Sequence, residues 1–248
     1  MKVISWNIRA GGGRRSEGIV RQLKSWNPDV ICLSEFRGTE PSQLIARSLH
    51  AAGWDHQRQT SLADDPARNA LLVASRWPLR RKPRRQAIGD SSIDAVRWLQ
   101  VSVLAPRALS LLTVHVPNRV TGRKTRFLGA ITDFASTWSG ADALIVGDTN
   151  TGRIQIDEES PAFNQAEDQW MRDMESLQWR DGFRALHADR REFTWYSPNG
   201  RNGFRLDQAF LNPDLLARTR KIRHRWGGAG RRIATALSDH AALIIDLD

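Results

Sequence analysis

Six apolar runs of the chain carry polar residues of a narrow chemical type at or near one end. Asn7 closes the run at 2–7 and Glu35 the run at 29–35. His115 and Asn118 follow Leu111-Leu112-Thr113-Val114, and Asp148 and Asn150 follow Ala143-Leu144-Ile145-Val146-Gly147. Asp207 lies within Phe204-Arg205-Leu206-Asp207-Gln208-Ala209-Phe210, and Asp239-His240 precedes the final run. One polar strand end is ordinary, whereas six carrying only Asn, Asp, Glu and His form a pattern. Oxygen donors of this kind suit Mg²⁺ or Mn²⁺, which take one or two carboxylates together with waters and phosphate oxygens. Cysteines and histidines are too few and too scattered for a zinc centre.

Bringing these groups together requires strands. Apolar, β-branched runs at 2–7, 29–35, 70–75, 95–103, 109–116, 143–147, 193–196, 204–211 and 241–247 predict strands. Amphipathic stretches at 17–25, 41–51, 125–138 and 168–177 predict helices, the first with Ser16 as N-cap and Ile19, Val20 and Leu23 on one face. Many strands and few helices argue for sheets packed on each other and covered by helices, not for a simple βαβ wind. Gly11-Gly12-Gly13 and Gly227-Gly228 read as loops, and the polar segment 151–166 reads as a surface loop. With no repeat and no low-complexity linker, a single domain over 1–248 is expected.

A chain of 248 residues can bury a full core without disulfides or structural metal. Its single cysteine, Cys32, excludes an internal disulfide and, within Val30-Ile31-Cys32-Leu33, reads as a buried, inert thiol. No apolar run approaches the ~20 residues of a membrane span, and Met1 leads straight into strand residues without a basic-then-apolar leader. A soluble, cytoplasmic protein is the expectation, with no membrane partner and a monomeric state. Lys and Arg number 37 against 27 acids, a net charge of +10. Such a field attracts polyanions; a solubilising surface is the alternative. The basic residues cluster at Arg80, Arg81, Lys82, Arg84 and Arg85, at Arg123, Lys124 and Arg126, and at Arg218, Arg220, Lys221, Arg223 and Arg225, with Arg231 and Arg232 close behind.

In order, Ser5-Trp6-Asn7, Leu33-Ser34-Glu35, His115…Asn118, Gly147-Asp148-Thr149-Asn150, Arg205-Leu206-Asp207 and Ser238-Asp239-His240 resemble the endonuclease/exonuclease/phosphatase superfamily, from residue 3 to residue 247. Its members include exonuclease III-type repair nucleases, deoxyribonuclease I and phosphatases of lipids and inositols. The resemblance implies an α/β fold, a four-layer α/β/β/α sandwich of two mixed β-sheets flanked by helices. It also implies roles: Glu35 as principal Mg²⁺ ligand with Asn7 and Asp239 beside it, and Asp148 orienting or deprotonating the attacking water. Asn150 would hold the phosphate, and His240 would contact it with its tautomer fixed by Asp207. His115 stands where exonuclease III-type relatives usually have tyrosine and deoxyribonuclease I-like ones have histidine, as a candidate general acid; the plainer reading is a phosphate hydrogen-bonder. Ser34 and Thr149 depart from the Gln and Phe usual at those positions.

Substrate-side candidates are Asn118, Arg76, Trp195 and Phe204. Trp195, in Phe193-Thr194-Trp195-Tyr196-Ser197, and Phe204 read either as a wall against a sugar or base or as core. Arg76, at the end of the segment 69–76, reads as approaching phosphate or solvent. The implied function is Mg²⁺-dependent hydrolysis of DNA phosphodiesters by water. The alternative is a phosphatase or phosphodiesterase of a small-molecule or lipid-headgroup ester. The positive charge favours the first, and no apolar membrane-facing loop supports a lipid enzyme. A basic DNA-binding protein without catalysis is disfavoured, because every expected catalytic position is filled.

Overall fold

The structure, a computed structural model, describes residues 1–81, 94–138, 140–228, 230 and 236–248. Of the basic clusters, Lys82, Arg84, Arg85, Arg231 and Arg232 lie outside the described residues. The first sheet is built from β1 (Lys2–Asn7), β2 (Val30–Phe36), β3 (His56–Gln59), β4 (Ala70–Ser75), β13 (Thr219–Arg225) and β14 (Ala242–Leu247), in the order β13-β14-β1-β2-β4-β3. The second is built from β5 (Leu79–Arg81), β6 (Trp98–Val103), β7 (Leu109–His115), β8 (Ala143–Asp148), β9 (Arg180–Asp181) and β12 (Asp207–Leu211), in the order β5-β6-β7-β8-β12-β9. Each contains one parallel pair, β1 with β2 and β7 with β8, among antiparallel neighbours. A short ribbon of β10 (Trp195–Tyr196) and β11 (Gly203–Phe204) stands apart from both.

Side-chain alternation makes three hydrophobic layers. Val3, Cys32 and Val73 of the first sheet meet Leu99, Leu111, Val146 and Ala209 of the second. The other face of the first sheet, with Ile4, Ile31 and Leu72, packs on Ile19, Leu23, Ile45 and Leu49 of α1 (Ser16–Trp26) and α2 (Glu40–His50). The other face of the second sheet, with Leu112, Val114 and Ile145, packs on Phe127, Ile131, Trp170 and Met174 of α3 (Lys124–Ser136) and α4 (Gln165–Ser176). Both sheets are covered on both faces, so their central strands read as nearly continuous apolar runs. Burying each Leu or Ile is worth about 1.5–3 kcal/mol. The four-layer α/β/β/α arrangement is the one expected.

Several boundaries moved. Ser16 is the first residue of α1, not its cap; its hydroxyl donates to the Gly13 carbonyl at 2.7 Å. Residues 95–97 form a 3₁₀ turn ahead of β6. The run 204–211 breaks between β11 and β12. The segment 151–166 is not a plain surface loop: Thr151, Asp157 and Glu158 are buried, and Glu158 bridges Phe204. Cys32 is buried, and burial pushes its thiol up to about 12. Among the described residues no helix is long and apolar enough to cross a membrane.

Candidate active site

Sheet register places the polar strand ends at one end of the sandwich. In the parallel pair β7/β8, His115 lies opposite Asp148; in the antiparallel pair β8/β12, Asp148 lies opposite Asp207. Asp148 is therefore flanked on both sides. The residue before it must be glycine: Gly147 has φ 152°, and a Cβ there would come 1.9 Å from the Val114 carbonyl oxygen. Across the sandwich, Asn7 ends β1 and its side-chain nitrogen donates to Asp148 Oδ2 at 2.9 Å and to Glu35 Oε1 at 3.3 Å. One amide thus ties a carboxylate of each sheet.

The backbone around these groups is unusual. Arg9, Ala10, Glu35 and Asn150 all have left-handed φ, 54°, 50°, 55° and 50°. Non-glycine residues enter this region at a cost and concentrate at functional sites. Here each is held by the site. The Ala10 amide donates to Glu35 Oε2 at 2.6 Å, the Arg9 amide to Asn7 Oδ1 at 3.0 Å, and the Asn150 amide to Asp148 Oδ1 at 3.0 Å. The Asn150 side chain donates to the Val116 carbonyl at 2.8 Å.

Two histidines bring Nε2 close to Asp148 Oδ2, His115 at 3.7 Å and His240 at 3.9 Å. His240 Nδ1 lies 2.9 Å from Asp207 Oδ2, and its backbone bridges Trp195. Burial alone would lower the His240 pKa, but Asp207 and Asp148 outweigh it and raise it to about 10. Asp148 is raised to about 7, by burial above all, against the pull of His240. His115 goes the other way. Burial, the Arg97 guanidinium and the His240 charge hold it well below the ordinary imidazole value. Arg97 Nη1 is 3.0 Å from His115 Nδ1. A guanidinium only donates, so Nδ1 accepts and the proton sits on Nε2, facing Asp148.

Glu35, His115, Asp148, Asn150 and His240 line a cleft of about 360 Å³, together with Asn69, Arg97, Asn118, Trp195, Leu206 and Asp239, while Asn7 and Asp207 stand behind them. Asn118 is exposed on its rim. Trp195 forms a wall; Phe204 backs it at a ring separation of 5.8 Å and is not among the lining residues. Arg76 is not brought to the site. It follows Ser75, which pairs with Val30 at the start of β2, and it stacks on Trp54 at 4.3 Å and donates to Asn27. The cleft end of that segment is Asn69, whose Oδ1 accepts from Arg37 at 2.7 Å. The Thr149 amide donates to the Leu206 carbonyl at 2.9 Å and its hydroxyl to Gln208 Oε1 at 3.0 Å, which stitches the end of β8 to β12. Sequence reasoning missed Arg97 and Asn69. Only contact with the cleft distinguishes them from other surface arginines and amides.

Asn7 turns its amide nitrogen, not its oxygen, into the cluster, because Oδ1 is taken by Arg9. Among the described residues no three His, Cys, Asp or Glu side chains are grouped to hold a metal. The cleft does offer the carboxylates of Glu35 and Asp239 and no thiolate. An oxygen-only pair open to solvent fits Mg²⁺, which keeps several waters and relies on few protein carboxylates.

Residues 4–240 match the Endonuclease/Exonuclease/phosphatase family. Among solved structures, the chain is similar to a 3′ phosphatase, NExo, from Neisseria bound to product DNA hairpin, at 20% identity and a TM-score of 0.82, covering 100% of this chain and 99% of that one. It is similar to an AP endonuclease from Archaeoglobus fulgidus, at 20% identity and a TM-score of 0.81, with 100% and 99% covered. It is also similar to the APE2 catalytic domain of Xenopus laevis, at 18% identity and a TM-score of 0.76, with 100% and 91% covered. At such identities the likeness establishes a shared fold.

Proposed function

The chain belongs to the Endonuclease/Exonuclease/phosphatase family and is a phosphoester-hydrolysing enzyme, and from this premise we propose that the ester it hydrolyses lies in DNA. The observation that carries the catalytic part is Asp148, a buried carboxylate raised to about 7 and set between two histidines of opposite charge state. The DNA part is supported by the net charge of +10 and by similar structures described as a 3′ phosphatase with a DNA hairpin and an AP endonuclease.

Glu35 and Asp239 would hold a divalent cation, Mg²⁺ or Mn²⁺. When bound, the cation neutralises charge on the phosphate. The chain's own residues supply the rest. Asp148 accepts the proton of the attacking water as its oxygen bonds to phosphorus, a task that suits a group titrating near neutrality; the P–O bond to the leaving oxygen breaks, and that oxygen takes its proton from solvent. Asn7 and the Asn150 amide fix its two oxygens. His240, kept as an imidazolium by Asp207, donates from Nε2 to the phosphate and opposes the charge that grows there. His115 has a different part from the general acid expected of it: as a neutral imidazole it donates its Nε2 proton in a hydrogen bond and does not supply a full charge.

The test is incubation with Mg²⁺ and supercoiled plasmid, linear duplex, single strand, abasic duplex, RNA and inositol phosphates. DNA should be cleaved with Mg²⁺ or Mn²⁺ and spared in EDTA, and Glu35→Gln should lose most of the activity. Faster release of phosphate from inositol phosphates than cleavage of any DNA would overturn the DNA assignment.

A further inference from the structure

A second cleft, of about 260 Å³, adjoins the catalytic one and shares Trp195 and Asp239 with it. The rest of its lining sets two aromatic rings, Tyr196 and Trp226, beside Arg9, Ser197, Pro198 and Gly200. Tyr196 and Trp226 come from distant parts of the chain and stand 6.2 Å apart with planes inclined by 35°. All three rings are half-buried, so each keeps accessible surface. Arg9, about half exposed, stands at the mouth with Nε 3.9 Å from Asp239 Oδ2.

The floor is built to stay in place. Tyr196 pairs with Gly203, and a Cβ on Gly203 would come within 2.8 Å of the Tyr196 ring. The turn beyond it is closed by Ser197, whose amide donates to the Asn202 carbonyl at 2.9 Å. The Ser197 hydroxyl donates to Asn199 at 2.6 Å and accepts from the Asn202 amide at 3.1 Å. That hydroxyl is therefore engaged within the turn and poorly placed to read a base edge.

We propose that this second cleft is a stacking subsite for one unpaired nucleobase of the nucleotide next to the scissile phosphate. The inference rests on the DNA reading of the catalytic cleft and deepens it. A strand whose phosphate meets His240 Nε2 in the catalytic cleft passes Asp239 and Trp195, the two residues common to both clefts. Its next base then meets Tyr196 and Trp226, and the connecting phosphate meets Arg9. The space suits a single base, so a base seated there has left its Watson–Crick partner. With aromatic faces and few free polar groups, recognition is tolerant of base identity, as stacking generally is.

The experiment pairs a deletion in the DNA with a deletion in the protein. A baseless nucleotide is walked through a single-stranded oligonucleotide, position by position. Binding to wild type, Trp226→Ala and Tyr196→Leu is followed by fluorescence anisotropy in EDTA. At one position, adjacent to the phosphate cleaved when Mg²⁺ is added, base removal should weaken wild-type binding by about 5- to 150-fold, the range of one stacked base. The same removal should cost either variant much less, and Trp226→Phe should restore the wild-type response. Equal losses in wild type and variants at every position would overturn the subsite, and Tyr196→Leu gives the same readout should Trp226→Ala not fold. Hydrolysis of the same oligonucleotides in Mg²⁺ is scored separately: position-specific coupling without hydrolysis retains a base subsite while overturning the catalytic reading, and hydrolysis without coupling does the reverse.

Discussion

His115 and His240 approach the same oxygen of Asp148, yet their neighbours drive them to opposite charge states. Asp207 stands behind His240 and Arg97 behind His115, so one ring is held positive and the other neutral. A neutral donor can be replaced by an amide. His115→Gln should therefore keep more activity than His115→Ala, whose loss in kcat should be about 10²–10³, the range for one transition-state donor. Single-turnover cleavage of one defined DNA measures both; equal losses would show that Nε2 donates nothing. The pH profile follows from Asp148. Its pKa is raised to about 7, and the ionised form is the base, so activity should be absent well below 7 and rise through it. Because His115 is held well below the ordinary imidazole range, His115→Gln should leave that acid limb in place. The oxygen donors and the histidines were legible as polar strand ends. Arg97 was not, because its role comes only from the contact of its 3₁₀ turn with β7.

At the scale of elements, Gly147 decides whether β7 and β8 can lie side by side. Gly147→Ala puts a Cβ against the Val114 carbonyl in the centre of a sheet, with a backbone that L residues rarely adopt. The loss should exceed about 4 kcal/mol, in the exceptional range for a point substitution. Urea denaturation by circular dichroism checks this, and a loss below about 1 kcal/mol, the ordinary size for a point substitution, would mean that the strands can part. The central strands were readable because both faces of each sheet are covered. The edges were not: β3 (His56-Gln57-Arg58-Gln59) and β13 (Thr219-Arg220-Lys221-Ile222-Arg223-His224-Arg225) carry polar side chains that blunt an edge and erase the apolar signal. The break between β11 and β12 follows from Arg205. It is wholly buried and reaches Asp157 at 2.7 and 2.9 Å and Asp181 at 2.5 Å, tying the 151–166 segment to β9. Burial would raise Asp157, but Arg205 and Arg184 outweigh it and hold the group below its usual range. A depressed carboxylate adds stability that is present above the unfolded value, ~3.9, and lost as pH falls through the folded one. Arg205→Ala should cost about 3–5 kcal/mol at pH 7, because buried Asp181 loses its guanidinium partner and buried Asp157 keeps only Arg184. The gap to wild type should narrow in acid melts; a constant gap down to the acid transition would assign the loss to packing.

For the whole molecule, the surplus of ten positive charges is not spread evenly over surfaces that DNA can reach. Lys124 is buried against Glu167 and the Asn150 carbonyl, and Arg218 against Asp142. Arg223 pairs with Asp246 along the β13 edge. Two clusters that look like DNA-binding patches in sequence thus spend part of their charge on holding strands and loops. Arg9, in contrast, opens onto the second cleft beside Asp239. Binding of duplex DNA should weaken with salt along a log–log slope of about −0.9 for each phosphate neutralised. Arg9→Gln should lower the magnitude of that slope by about one and weaken binding evenly across sequences. Arg223→Gln should lose its ion pair with Asp246 and leave the slope unchanged. Anisotropy titrations in EDTA, from low to physiological ionic strength, compare the three proteins. An equal fall in slope for both variants would mean that the β13 edge, not the mouth of the clefts, meets the phosphates. A flat response in wild type would instead point to a substrate too small to release many counterions.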